Sequence, residues 1–157
     1  MNSSLVTIII PCFNHGKYLP DAIDSCLNQT YSEIEIIIVD DGSTDNTCEV
    51  TKSYPSVTYL YQKNQGLSSA RNTGIKHSNG AFLVFLDADD LLLHDAIAYN
   101  IEYLKKQTKL AFVSGAHQVS TIDNIKIKTI NESVVFDHFQ TLLRKNYIGM
   151  HATVMFR

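Results

Sequence analysis

The chain has no tryptophan, only three prolines and no apolar run long enough to cross a bilayer. Its longest apolar stretches, residues 7–10 and 82–86, have the length of a strand. A formal net charge of −3 argues against a broad nucleic-acid-binding surface. With 157 residues, of which 45% are hydrophobic, the chain suits a single folded domain and is too apolar to be disordered.

Cysteine is also scarce, and its three positions (Cys12, Cys26 and Cys48) lack the spacing of a metal site. An odd number of cysteines favours buried, reduced thiols in a cytoplasmic protein over a disulfide scaffold. The first ten residues contain no basic segment of the kind that begins a secretory signal. The six histidines show no metal-binding pattern, so we expect surface or structural positions for them.

Strand and helix patterns alternate along the chain with short connections. Apolar, β-branched runs predict strands over residues 5–10, 34–39, 57–61, 82–86 and 110–114. Amphipathic spacing predicts helices over residues 19–27, from 43 or 44 to 53 with Asp45 in the first turn, 67–77 and 95–106. The last third suggests a strand over residues 122–130, a helix over 136–144 and a strand over 151–157.

Four alternations of strand and helix predict an α/β fold, a three-layer α/β/α sandwich with a mostly parallel central sheet. Such sheets bind ligands beyond the carboxyl ends of their strands. Three candidate segments fall at those ends: residues 11–15, the pair Asp40 and Asp41, and residues 87–90. Their coincidence predicts one site at that edge of the sheet.

The acidic segment contains Asp87, Asp89 and Asp90 within four positions. Carboxylates of this kind hold Mg²⁺ or Mn²⁺ together with substrate phosphates and water. An acidic turn that caps the following helix is the alternative. Like charges this close repel unless a cation is present, which favours the metal site.

Two other features have both a structural and a functional interpretation. One carboxylate of the pair Asp40 and Asp41 could accept a hydrogen bond from a base-ring N–H, although an Asp-Gly turn after a strand is also ordinary. Arg71 lies in a helix of small and apolar residues. It is either an exposed helix arginine or a ligand for diphosphate oxygens.

Other nucleotide-binding classes lack their motifs here. The first strand is not followed by G-x-G-x-x-G, as a dinucleotide-dependent dehydrogenase requires, and the chain contains no P-loop motif. A phosphoacceptor signalling domain would place its acidic pair after the first strand, whereas this pair follows the second.

Five segments in one order resemble the family-2 glycosyltransferases, which have the GT-A nucleotide-sugar-binding fold. The resemblance covers residues 5–115 closely and the remainder loosely. The segments are VTIIIPCFN at residues 6–14, LNQTY at 27–31, VDDGSTD at 39–45, GLSSARNTG at 66–74 and FLDADD at 85–90.

The resemblance implies roles for the residues at the predicted nucleoside side of the site. Pro11 and Phe13 match a segment that lines the nucleoside pocket, and Asn14 belongs to the same segment. Asp41 matches an aspartate that reads the uracil edge. Asp40 is its structural neighbour in the nucleotide-binding set.

On the diphosphate side, Arg71 matches an arginine that contacts the nucleotide. Asp87 and Asp89 match the two ends of the family's D-x-D motif, the first near ribose or metal and the second on the metal. The expected cofactor is Mn²⁺ or Mg²⁺. No role is assigned to Asp90.

The implied reaction moves a sugar from a nucleoside diphosphate-sugar, with a UDP-sugar favoured, to an acceptor hydroxyl with inversion. The expected acceptor is a glycan or a lipid-linked molecule in polysaccharide or cell-surface glycan synthesis, and no nucleic acid partner is expected. The implied location is the cytoplasm, with peripheral association at the inner face of the cell membrane.

The chain departs from this family at the general base, which similar enzymes place on a later acidic segment. No acidic residue lies between positions 148 and 157, and Glu132 and Asp137 are too early in the chain. We therefore expect an N-terminal portion of a longer enzyme, with its base beyond Arg157. Residues 1–115 would form the donor half and residues 116–157 the start of the acceptor half. A non-catalytic nucleotide-sugar-binding module, or an inactive fragment, is the alternative.

Overall fold

The computed structural model describes residues 2–120, 126–130, 138–144, 148 and 150–157. Strands and helices alternate through the first two thirds, as the sequence predicts. The strands are β1 (Asn2–Cys12), β2 (Ile34–Asp40), β3 (Thr58–Tyr61), β4 (Gly80–Phe85), β5 (Phe112–Ser114), β6 (His117–Ser120), β7 (Lys126–Ile130) and β8 (Val154–Phe156). The helices are α1 (Leu19–Leu27), α2 (Thr47–Lys52), α3 (Leu67–His77), α4 (Ala96–Lys106) and α5 (His138–Arg144), with a 3₁₀ turn at His151–Thr153.

Six strands form the central sheet in the order β3-β2-β1-β4-β8-β5. The pairings of β3, β2, β1 and β4 are all parallel, whereas β8 runs antiparallel to both β4 and β5. Strands β6 and β7 pair separately as an antiparallel ribbon. The prediction of a mostly parallel sheet is confirmed.

The two faces of the sheet are covered by different helices because side chains alternate along a strand. Ile8 and Ile10 of β1 pack into a cluster with buried residues of α1 and α4. Ile9 packs on the opposite face with Ala70 of α3. This arrangement gives the predicted three layers. At Gly74, α3 lies so close to the sheet that an added Cβ would be 2.4 Å from Ile9 Cγ2.

Several boundaries differ from the predicted ones. Strand β1 continues through Pro11 to Cys12. Proline has no N–H to donate to a neighbouring strand, and it is tolerated here because Pro11 lies beyond the last pair that β1 makes with β4, Ile9 with Phe85. Helix α2 begins at Thr47, and Asp45 precedes the helix instead of lying in its first turn. The Asp45 carboxylate accepts the Thr47 N–H at 3.0 Å and so occupies the donor at the helix start.

The last third departs most from prediction. Strand β6 was not predicted. Residues 122–125 of the predicted strand 122–130 and residues 136–137 of the predicted helix 136–144 lie outside the described residues, whereas the described parts of both elements form β7 and α5. The predicted strand 151–157 is a 3₁₀ turn followed by the short β8. Among the described residues, no helix is long and apolar enough to cross a membrane.

Candidate functional site

A cavity of about 380 Å³ lies at the carboxyl ends of β1, β2 and β4. This volume falls within the usual range for small-molecule sites. Its walls come from four segments of the chain that are distant in sequence. The lining residues are Pro11, Cys12, Phe13, His15, Asp41, Asn64, Gly66, Leu67, Ala70, Asp87, Ala88 and Asp89.

Five predicted site residues therefore line one cavity: Pro11, Phe13, Asp41, Asp87 and Asp89. The other three, Asn14, Asp40 and Arg71, are not among its lining residues in the described part of the chain. Each of those three contacts a residue or loop at the cavity wall instead.

Asp41 is 4% exposed and is the most closely held carboxylate of the cavity. Its Oδ1 accepts hydrogen bonds from Gln62 Nε2 at 2.6 Å and from Gln65 N at 2.9 Å. Its Oδ2 accepts one from Gly66 N at 2.7 Å. A buried carboxylate needs such donors, so Asp41 fixes the loop between β3 and α3 against the cavity.

Asp40 and Asn14 stabilise the loops that form one wall. Asp40, 1% exposed, accepts hydrogen bonds from the Ser43 N–H and the Tyr59 hydroxyl. Burial, together with this bond to Asp40, raises the pKa of Tyr59. Asn14 adopts a positive φ of 55° and accepts the Thr44 N–H at 2.8 Å. Asparagine tolerates this conformation better than most residues, which explains its place in the turn.

Asp45 also connects the loop after β1 to the loop after β2. Its carboxylate accepts hydrogen bonds from Gly16 N at 2.9 Å and from the Thr47 hydroxyl at 2.5 Å. Burial acts to raise the pKa of Asp45, but these bonds outweigh it and hold the pKa below its usual value. The loop after β1 is therefore fastened to the start of α2.

Arg71 lies on α3 beside the acidic segment. Its Nη2 donates to Asp87 Oδ1 at 2.9 Å, and its guanidinium carbon lies 5.7 Å from the centre of the Phe85 ring. The Arg71 side chain is 16% exposed, and its Nε has no hydrogen-bond partner within the described residues. A buried donor without a partner is uncommon in a folded protein, so Arg71 keeps unused donor capacity beside Asp87.

The acidic segment concentrates negative charge at the cavity. Burial and the charges of Asp87 and Asp89 raise the pKa of Asp90 to about 6. The described residues contain no group of three or more His, Cys, Asp or Glu side chains arranged to hold a metal ion. Two carboxylates nevertheless fit the way proteins hold Mg²⁺ or Mn²⁺, in which phosphates and water complete the coordination.

Sequence reasoning missed part of the cavity wall. Cys12 is buried as predicted, but it lines the cavity, where burial raises the pKa of its thiol. His15, expected at a surface or structural position, also lines the cavity, as do Asn64 and Leu67. The residue types themselves did not indicate a site. The only signal in the sequence was that these residues lie close to the predicted strand ends, where such sheets bind ligands. Glu132 and Asp137, judged unsuitable as a base, lie outside the described residues.

Comparison with known sequences identifies related proteins. The sequence model described as "Glycosyl transferase family 2" matches residues 7–157. An uncharacterized glycosyltransferase of Haemophilus influenzae is 34% identical over 151 residues, covering 93% of this chain and 60% of that protein. The chain therefore spans less than two thirds of this relative's length.

Solved structures show the same architecture. Residues 1–349 of S. aureus TarS superpose with a TM-score of 0.69 at 22% identity, covering 98% of this chain and 47% of that one. The same TarS portion has also been solved in complex with UDP. Mannosyltransferase PcManGT from Pyrobaculum calidifontis, in complex with GDP-Man and Mn²⁺, gives a TM-score of 0.62 at 27% identity, covering 74% of this chain and 35% of that one.

Proposed function

The chain belongs to glycosyl transferase family 2 and has the GT-A fold, and from this premise we propose that its cavity binds a nucleoside diphosphate-sugar, preferentially a UDP-sugar. The observation that carries the proposal is the convergence of Asp41, Asp87 and Asp89 on one cavity. These carboxylates follow two different strands, and a solely structural acidic turn would not require them to share a pocket.

The nucleoside would occupy the end of the cavity formed by Phe13, Pro11 and Asp41. Phe13 is 47% exposed and lines the cavity, and an aromatic ring in this place would stack on a base. A carboxylate accepts at about four lone-pair positions, and three donors of the chain already bind Asp41. One acceptor position on Oδ2 therefore remains for a base N–H. Asn14 and Asp40 contribute by holding the surrounding loops.

The diphosphate would lie between Arg71 and the acidic segment. Arg71 Nε is the unpartnered donor, and its Nη2 already holds Asp87 in place. Asp87 and Asp89 would bind Mn²⁺ or Mg²⁺, which when bound supplies charge neutralisation for the departing diphosphate. Arg71 can contribute to the same end by donating to the diphosphate oxygens.

We propose further that the bound sugar is transferred with inversion to a hydroxyl of a glycan or lipid-linked acceptor. On this proposal residues 1–115 form the donor half and residues 116–157 begin the acceptor half. The proposed setting is polysaccharide or cell-surface glycan synthesis at the cytoplasmic face of the membrane. Transfer also requires a carboxylate base within about 3 Å of the acceptor hydroxyl, and we assign that role to no residue in the part of the chain that the structure describes.

Isothermal titration of UDP into the chain, with MnCl₂ and then with EDTA in its place, tests the donor site. We expect binding that requires Mn²⁺ and is lost in Asp89→Asn. Absence of UDP binding under both conditions would refute the proposal. Release of UDP from a panel of UDP-sugars in the presence of candidate acceptors then tests transfer. Binding without release would indicate a chain that binds the donor but does not catalyse transfer.

A further inference from the structure

Gln62 connects Asp41 to helix α3 through both ends of its side-chain amide. Its Nε2 donates to Asp41 Oδ1 at 2.6 Å and to Ser69 Oγ at 3.2 Å. Its Oε1 accepts from Thr73 Oγ1 at 2.6 Å. These contacts fix the amide orientation, because turning it over would place an acceptor oxygen against the carboxylate.

The contacts distribute the donors unequally between the two oxygens of Asp41. Oδ1 accepts two hydrogen bonds, from Gln62 Nε2 and Gln65 N. Oδ2 accepts one from the described residues, the Gly66 N–H. Since each carboxylate oxygen has about two lone-pair positions, Oδ1 is saturated and Oδ2 keeps one.

Nucleobases differ in the number of donors that they present to such a carboxylate. The uracil edge has a single ring N–H between two carbonyl oxygens. The guanine edge has two adjacent donors, a ring N–H and an amino group, and binds best to a carboxylate whose two oxygens are both open. A carboxylate with one open position satisfies uracil and leaves a guanine donor without a partner.

We propose that Gln62 is a positioning residue that selects uracil over guanine by occupying Oδ1 of Asp41. The inference rests on the proposed function, in which a nucleoside diphosphate binds this cavity with its base at Asp41. Gln62 itself acts through Asp41 and needs no contact with the base. Thr73 contributes indirectly, because it fastens the far end of the Gln62 amide.

The test is the ratio of GDP to UDP dissociation constants, measured by isothermal titration with MnCl₂ on the full chain and on Gln62→Met. Methionine keeps the length of the side chain and removes its amide. We expect the chain to bind UDP about 100-fold more tightly than GDP, since a buried unpaired donor costs about 1–3 kcal/mol. We expect the ratio to fall about tenfold in Gln62→Met, since Oδ1 then loses one of its two donors and regains the capacity to accept from a second base donor.

Two further variants separate selectivity from stability. Thr73→Val keeps Gln62 but releases its Oε1, and we expect a smaller fall of the ratio in the same direction. Thr73→Val decides the question if Gln62→Met does not fold. Gln107→Met makes the same change at an exposed position after α4 and should leave the ratio unaltered.

The outcomes distinguish this inference from the proposed function. A lowered ratio in the Gln62 and Thr73 variants supports both. Equal weakening of UDP and GDP, or an unchanged ratio in folded variants that still bind UDP, overturns the selectivity role and leaves the donor site standing. If the unaltered chain binds neither nucleotide, both are overturned.

Discussion

Replacing Asp41 by asparagine should destabilise the fold as well as weaken nucleotide binding. The side chain is 4% exposed and accepts three hydrogen bonds from the loop between β3 and α3. An asparagine offers one oxygen, so its amino group must face at least one of these donors. If the amino group takes the place of Oδ2, it faces Gly66 N. If it takes the place of Oδ1, it faces both Gln62 Nε2 and Gln65 N.

The magnitude follows from these contacts. Loss of one hydrogen bond to a charged acceptor costs about 1.5–3 kcal/mol, and the remaining bonds weaken because the acceptor is neutral. We therefore expect Asp41→Asn to lower the free energy of unfolding by about 2–4 kcal/mol. This loss would lower the melting temperature by about 5–10 °C in a domain of this size.

Urea unfolding followed by far-ultraviolet circular dichroism measures the change, since the chain lacks tryptophan. Asp89→Asn is the matched control, because it makes the same chemical change at an exposed carboxylate of the same cavity. We expect the control to keep or slightly raise stability, since it removes a negative charge near Asp87 and Asp90. A change below about 0.5 kcal/mol in Asp41→Asn would refute the role assigned to its hydrogen bonds.

Three further predictions concern the scaffold. Gly74→Ala should cost about 1–3 kcal/mol in thermal unfolding, because the new methyl group would overlap Ile9 in the core; unaltered stability would contradict this packing. Burial acts to raise the pKa of Glu35, but hydrogen bonds from Asn79 and Thr7 outweigh it and lower that pKa. A lowered pKa stabilises the fold above about pH 4.3, and this stabilisation is lost as the pH falls through the folded-state pKa. The difference in unfolding free energy between the unaltered chain and Glu35→Gln should therefore shrink on acidification. A difference that stays constant with pH would contradict this role of Glu35. Burial raises the pKa of Cys26 to about 12, so this thiol should resist alkylation at pH 8 until urea unfolds the chain, and rapid labelling without urea would contradict its burial.

The order of elements was predictable because short-range patterns set it. The run of β-branched residues at Ile8–Ile10 favours a buried strand, and Leu19, Ile23 and Cys26 share one face of α1 as their spacing predicts. Boundaries were less predictable where a distant residue decides them. Helix α2 starts late because Asp45 is shared between Thr47 and the loop after β1.

The partners of strands far apart in sequence were not predictable from local patterns. Strand β8 lies between β4 and β5 although more than 30 residues separate it from β5 along the chain. Within the cavity, the carboxylates were found because charges at strand ends are conspicuous. Gln62 was missed because a glutamine in a polar loop carries no signal until its partners on α3 are known.

A crystal structure of the chain soaked with UDP and MnCl₂ tests the central claim most directly. We expect the nucleotide in the cavity, with the uracil N–H on Asp41 Oδ2 and carboxylate oxygens of Asp87 or Asp89 on the ion. UDP bound elsewhere, or in the cavity with Mn²⁺ bound away from both carboxylates, would contradict it.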